Sequence, residues 1–149
     1  MQTKRIHEMT VAEWEKAFPD EDACKAYLAR DRWPLGVRCA RCGAEKPYSL
    51  HRSRPFHWQC HKCGRQGYRF SVITGTIFEN TNMPLRTWFR VIHMMLTATK
   101  NASALRVHPT IGTGSYKTAW YMCRRIRGHL VDGGSKSRSG KYLSRKNQL

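Results

Sequence analysis

Carboxylates are what this chain has least of. Ten Asp and Glu stand against 27 Lys and Arg, a formal net charge of +17 over 149 residues. Seven of the ten precede Arg32, and from Asn80 onward only Asp132 is set against thirteen basic residues. Two-metal phosphoryl transfer needs several convergent carboxylates, so this second half is a poor source of them. A positive charge of this size exceeds what solubility requires. It points to a polyanionic partner whose footprint lies in the second half, the alternative being a basic surface that is only solvated. Long apolar runs are also missing: none approaches the roughly 20 residues of a membrane span, and no signal peptide precedes the first charged segment. The expected location is therefore the cytoplasm. No repeat of solenoid length occurs.

What is present begins with six cysteines. In a reducing compartment, at unequal spacing, they do not read as a disulfide framework. Four of them, Cys39, Cys42, Cys60 and Cys63, form two C-x2-C pairs separated by seventeen residues. A two-residue gap lets one tight turn present two sulfurs to one ion, and zinc favours four thiolates in a tetrahedron. Gly43 and Gly64 follow the two pairs, where a left-handed backbone is often needed. A redox dithiol would sit as one pair beside a βαβ unit, which this pattern lacks. Four cysteines also close the metal shell against water, so the expected Zn2+ is structural and not catalytic. His57 and His61 are competing ligand candidates, more in keeping with a surface role. Cys24 and Cys123 fall on apolar helix faces, where a free thiol behaves as a small hydrophobe.

Around this motif the chain reads as α+β. Residues 10–30 form two short helices broken at Pro19, with Asp20, Glu21 and Asp22 at the favourable start of the second. From Cys39 to about Ile73, PYSLHR, PFHWQC and GYRFSVI read as about three antiparallel strands of a four-cysteine zinc ribbon. Between the pairs, a hairpin displays Arg52, Arg54, His57, Trp58 and Lys62. The charges suit phosphate contact or solvation equally, and Phe56 and Trp58 suit a small core.

Beyond Gly75 the spacing turns helical. Leu85, Trp88, Phe89, Ile92, Met95 and Leu96 recur at steps of three and four after Pro84. A short helix is expected over 102–107, ended by Pro109. After TIGTG, Ser115 caps a third helix, with Tyr116, Ala119, Trp120, Cys123 and Ile126 on one face and Lys117, Thr118, Tyr121, Arg124 and Arg125 on the other. A long helix, a short one, a glycine-containing turn and a basic last helix outline a helix-turn-helix. Lys117, Thr118 and Tyr121 are the candidates for base contact, and Arg124, Arg125 and Arg127 for phosphate. The parts expected are the N-terminal helices and ribbon at 10–75, a helix-turn-helix-like bundle at 80–130, and a flexible basic tail at 131–149.

Three segments in this order, FPDEDACKAYLARDRWPLGVRCARCG, WQCHKCGRQGYRFSVITGTIFENTNMPLRTWF and GSYKTAWYMCRRIR, resemble the N-terminal region of zinc-ribbon transposases of bacterial insertion sequences. The resemblance spans roughly residues 13–128. It implies a zinc ribbon with Cys39, Cys42, Cys60 and Cys63 as ligands, and a recognition helix over Ser115 to Arg127 that binds element ends. It departs from the family in two places. The RNase H-type catalytic domain and its acidic triad do not follow, and Pro109 interrupts a helix that the family runs into the turn. The expectation is a truncated or frameshifted transposase fragment that binds double-stranded DNA without catalysis. Its candidate protein partners are a full-length transposase or a second copy, with no membrane and no small-molecule substrate. An autonomous zinc-ribbon regulator and a metal-dependent nuclease are the other classes.

Overall fold

A computed structural model describes residues 4–98, 102–112 and 114–133. A 3-10 turn at Ile6–Glu8 leads into α1 (Val11–Ala17) and α2 (Glu21–Arg32), followed by β1 (Tyr48–Ser49), β2 (His57–Cys60) and β3 (Tyr68–Ser71). Three helices complete the chain: α3 (Leu85–Thr97), α4 (Ala104–Ile111) and α5 (Tyr116–Gly133). The expected α+β class is thus observed. Residues 134–149 of the expected tail lie outside the described residues, and α5 takes up 131–133. Among the described residues no helix is long and apolar enough to cross a membrane.

Local chemistry explains where the first helices start. The Thr10 hydroxyl accepts from the Glu13 N–H at 3.3 Å, and the Glu13 carboxylate accepts from the Thr10 N–H at 2.8 Å, a reciprocal cap on α1. At α2, Asp20 Oδ1 accepts from the Ala23 N–H at 2.8 Å. Helix α1 then turns Trp14 inward with Phe18 just beyond it, and α2 turns in Cys24 and Leu28.

Helix α3 is the hub. Leu85, Trp88, Phe89, Val91, Ile92 and His93 are all buried, a wider apolar arc than a single core-facing stripe. Phe18 meets Phe89 edge-on at 5.2 Å, Tyr27 meets it at 5.7 Å, and Phe78 lies 5.9 Å away on the loop before the helix. Edge-to-face packing of this kind joins α1, α2 and α3 into one aromatic cluster. The buried His93 donates from Nε2 to the Met9 carbonyl at 2.8 Å, which ties the N-terminal turn to α3.

The start of α3 is capped from elsewhere in the chain. Pro84 offers no side-chain acceptor; instead both oxygens of Glu21 take the first backbone donors, Leu85 N–H at 2.7 Å and Arg86 N–H at 3.1 Å. Arg86 Nε donates to the Phe18 carbonyl at 2.8 Å, and the guanidinium groups of Arg86 and Arg90 lie 5.1 and 5.2 Å from the Trp14 ring. Two of the second-half cations are therefore committed to packing.

The strands form one antiparallel sheet in the order β1-β2-β3, with Trp58 opposite Phe70 and Cys60 opposite Tyr68. Trp33, at the end of α2, packs edge-on to Trp58 at 5.2 Å and to Phe70 at 6.2 Å. Arg32 Nη1 donates to the Val72 carbonyl at 3.0 Å. These two neighbours join the helical layer to the sheet.

Helix α4 differs from its sequence expectation. It runs through Pro109 to Ile111 and stops at Gly112, which is left-handed at φ 70°. The missing Pro109 N–H removes a bond to the carbonyl of Leu105, a residue 72% exposed, so water can satisfy that oxygen. Only Thr110 and Ile111 follow the proline inside the helix, which limits the distortion to its last turn. On α5, the Ser115 hydroxyl accepts from the Thr118 N–H at 3.4 Å. Its buried side chains among those described are Ala119, Met122, Cys123 and Ile126. Tyr116 and Trp120, expected inside, are each 45% exposed, whereas Met122 is fully buried.

Two stability effects follow. Glu21→Ala should cost about 1–2 kcal/mol by removing an N-terminal cap, read as a lower urea midpoint at unchanged m-value, with Glu21→Gln intermediate. Burial pushes the Asp31 carboxyl up to about 6. Its folded pKa then lies above its unfolded one, so stability is full below the unfolded pKa and declines as pH rises through about 6. Asp31→Asn should accordingly raise the melting temperature more at pH 8 than at pH 5; equal gains at both would contradict this origin.

Candidate metal centre and nucleic-acid face

The four paired cysteines converge. Their Sγ atoms all lie within 4.8 Å of one another, with Cys39 to Cys63 at 3.8 Å and Cys42 to Cys60 at 3.6 Å. A tetrahedron with Zn–S bonds of roughly 2.3 Å has edges of about 3.8 Å. The two short contacts, each running between the two pairs, match that edge.

Backbone geometry builds this arrangement. In the first turn, the Arg41 and Cys42 N–H groups point at Cys39 Sγ at 3.4 and 3.5 Å, and the Gly43 N–H donates to the Cys39 carbonyl at 3.0 Å. The Cys39 N–H returns to the Ala44 carbonyl at 3.0 Å, closing the knuckle. In the second turn, the Gly67 N–H donates to the Gly64 carbonyl at 3.3 Å. Gly67 suits its φ of 74°, and a Cβ there would also crowd the turn, standing 2.6 Å from the movable Gln59 Nε2 and 3.2 Å from the Cys60 carbonyl. Gly43 and Gly64 adopt positive φ, 74° and 92°, in line with the motif.

The electrostatics agree with a cation. A backbone hydrogen bond from Ala44 brings the exposed Cys42 thiol down to about 7, whereas interaction with Cys42 pushes Cys63 up to about 12. Burial raises Cys39 as well. One sulfur ionises readily and its neighbours then resist, a conflict that a divalent ion among them relieves. The donor set of four thiolates fits structural Zn2+, and it leaves no ligand position for a reactive water. Neither candidate histidine joins it. His57 Nδ1 donates to the Pro55 carbonyl at 2.9 Å, and His61 lies against the Tyr48 ring at 6.3 Å.

The residues singled out for DNA contact fall into separate groups. Arg52, Arg54 and Lys62 are exposed on the ribbon. On α5, Lys117, Tyr121 and Arg124 are exposed, with Tyr121 at 52%. Thr118 is half-buried, its Oγ1 lying 3.4 Å from Ser115 Oγ, and so belongs to the turn. Arg125 donates from Nη1 to Tyr121 Oη at 3.1 Å and reaches the Glu79 carbonyl, while Arg127 donates to the Ala102 carbonyl. Trp120, assigned to the core by periodicity, is instead on the outer face with the Arg124 guanidinium 5.1 Å from its ring. The sequence signal for this placement is the aromatic–basic pair Trp120 and Arg124 at i and i+4.

One zinc per chain is expected by atomic absorption, and excess chelator should abolish the sheet contribution to far-UV circular dichroism and lower the melting temperature. Cys60→Ser should reduce zinc retention by at least about tenfold, in the range for loss of a ligand or its support. An unchanged spectrum and melting curve after verified metal removal would overturn the structural assignment.

Comparison with known proteins places this centre in context. Residues 19–66 match the family model described as the transposase zinc-ribbon domain. Over 112 residues the chain is 32% identical to an uncharacterized protein in the transposable element ISH50 of Halobacterium salinarum. That stretch covers 74% of this chain and 36% of the relative, so the chain spans about a third of the protein it matches. No solved structure matches. The resemblance read from the sequence is borne out: the segment carrying all four cysteines is similar to the zinc ribbon of transposases, and the chain is similar to a protein of a transposable element.

Proposed function

We propose that this chain is the zinc-stabilised DNA-binding part of a transposase, engaging double-stranded DNA such as element ends. The observation that carries the reading is the outer face of α5, where Tyr116, Lys117, Trp120, Tyr121 and Arg124 are exposed together beyond the glycine turn. In the helix-turn-helix arrangement this supports, α4 crosses the backbone and α5 enters the major groove. The turn is braced for that role: His108 Nε2 donates to the Gly114 carbonyl at 3.2 Å, and its ring meets Tyr116 edge-on at 6.3 Å. Arg52, Arg54 and Lys62 supply additional phosphate contacts from the ribbon. The net charge of +17 supplies the sequence-independent attraction.

In this reading these residues bind and do not catalyse. The support is chemical: four cysteines complete a metal shell, and phosphoryl transfer would need several carboxylates on one site. Among the described residues, the cysteines form the group placed to hold a metal. The biological role proposed is occupation of element ends, in competition or in association with a full-length transposase. Transposition rates that do not change with the level of this chain would count against that role.

Fluorescence anisotropy with zinc-loaded protein tests binding. A duplex from the flanking DNA should bind about a thousandfold tighter than a scrambled one. Affinity should fall with salt, and Arg52→Ala with Arg54→Ala should reduce the log–log slope by about 0.9 for each phosphate no longer neutralised. Binding that ignores salt, or that survives neutralisation of both ribbon and α5 cations, would refute the assignment.

A further inference from the structure

The chemistry on the outer face of α5 limits which bases it can read. Its described exposed residues from the first turn onward are Tyr116, Lys117, Trp120, Tyr121, Arg124, Arg127 and Gly128. No amide and no carboxylate lies among them. In the major groove, adenine is matched by the paired donor and acceptor of Asn or Gln, and cytosine by an Asp or Glu acceptor. Guanine offers only acceptors, O6 and N7, which suit Arg and Lys, while thymine offers O4 and an apolar C5-methyl.

Tertiary contacts sharpen the choice. Arg125 and Arg127 are engaged with the Glu79 and Ala102 carbonyls, whereas Arg124 lies against the Trp120 ring at 5.1 Å and points from the exposed face. Stacking on an aromatic ring restricts a guanidinium before it meets a base, lowering the ordering cost of a bidentate contact. Tyr121 is held in turn by the Arg125 Nη1 donor at 3.1 Å. The buried Ala119, Met122, Cys123 and Ile126 fix the rotation of the helix, so the residues at 117, 120, 121 and 124 face outward as one set.

We propose that α5 reads guanine and thymine in the major groove: Arg124, with Lys117, on guanine O6 and N7, and Trp120, with Tyr121, on the thymine C5-methyl. This rests on the DNA-binding reading above and adds base identity to it. The reading residues then differ from the helix's other cations, which serve packing. Residues 116–124 extend about 12 Å along the helix axis, a reach of roughly three to four base-pair steps of about 3.4 Å. The recognised core is correspondingly short.

The test is selection of bound duplexes from a random library by the zinc-loaded full chain, followed by resynthesis of the enriched site. Guanine is replaced by 7-deazaguanine, which lacks the N7 acceptor, and thymine by deoxyuridine, which lacks the methyl. Each replacement at a core position should weaken wild-type binding roughly tenfold. Arg124→Ala combined with Lys117→Ala should be insensitive to 7-deazaguanine, and Trp120→Ala combined with Tyr121→Ala to deoxyuridine, with zinc content and melting temperature confirming that both double variants fold. No enriched core, or a core whose binding responds to 7-deazaadenine in place of adenine and to neither analogue above, overturns the inference while salt-dependent affinity preserves the DNA-binding reading. Insensitivity of the wild type to either analogue overturns the contact assigned to that base. Absence of binding to any duplex overturns both readings.

Discussion

Four sulfurs within 4.8 Å of one another cannot all carry the charge that makes them ligands unless a cation sits among them. That constraint organises the ribbon. Strands β1 and β3 have only two and four residues, too short to hold a stable sheet through hydrogen bonds alone. A metal held by the four sulfurs would join the knuckle before β1 to the one that starts at the end of β2, the strand whose register puts Trp58 opposite Phe70. Those two rings form the surface against which Trp33 packs. The link from metal to helical layer is therefore a short chain of named contacts.

The helical layer has its own centre in α3. Its buried arc receives α1, α2 and the N-terminal turn, and also contacts α4 and α5. The cap that Glu21 places on α3 belongs to the same logic, because it fixes the start of the hub relative to α2. Some of the arginines serve this assembly. Arg32, Arg86 and Arg127 donate to carbonyls elsewhere in the chain, and Arg90 packs beside Trp14. A charge count measures the field around a protein but does not say which cations are free to meet a partner.

The legible parts of the sequence are those governed by local rules. C-x2-C spacing requires only a tight turn on each side, so the convergence of Cys39, Cys42, Cys60 and Cys63 can be read directly. Thr10 and Asp20 mark helix starts through bonds to residues three positions away. Pro109 misleads because its local penalty depends on its surroundings: the carbonyl it orphans belongs to an exposed turn, and only two helical residues follow. Trp120 misleads because hydrophobicity alone does not distinguish a core ring from one held outside beside a guanidinium. The buried role of His93 depends on Met9, 84 residues away, a contact that no local pattern encodes.

The sequence by itself determined the ligand set, the class of metal, the order of helices and short strands, and the polarity of charge along the chain. Each follows from residue type and spacing within one turn or one strand. Tertiary structure alone decided which face of α5 is outward, which arginines are engaged, and what caps α3. These depend on which distant surfaces meet: Met122 is buried and Trp120 is 45% exposed although both are apolar, because the packing of α5 against α3 and α4 selects the inward arc.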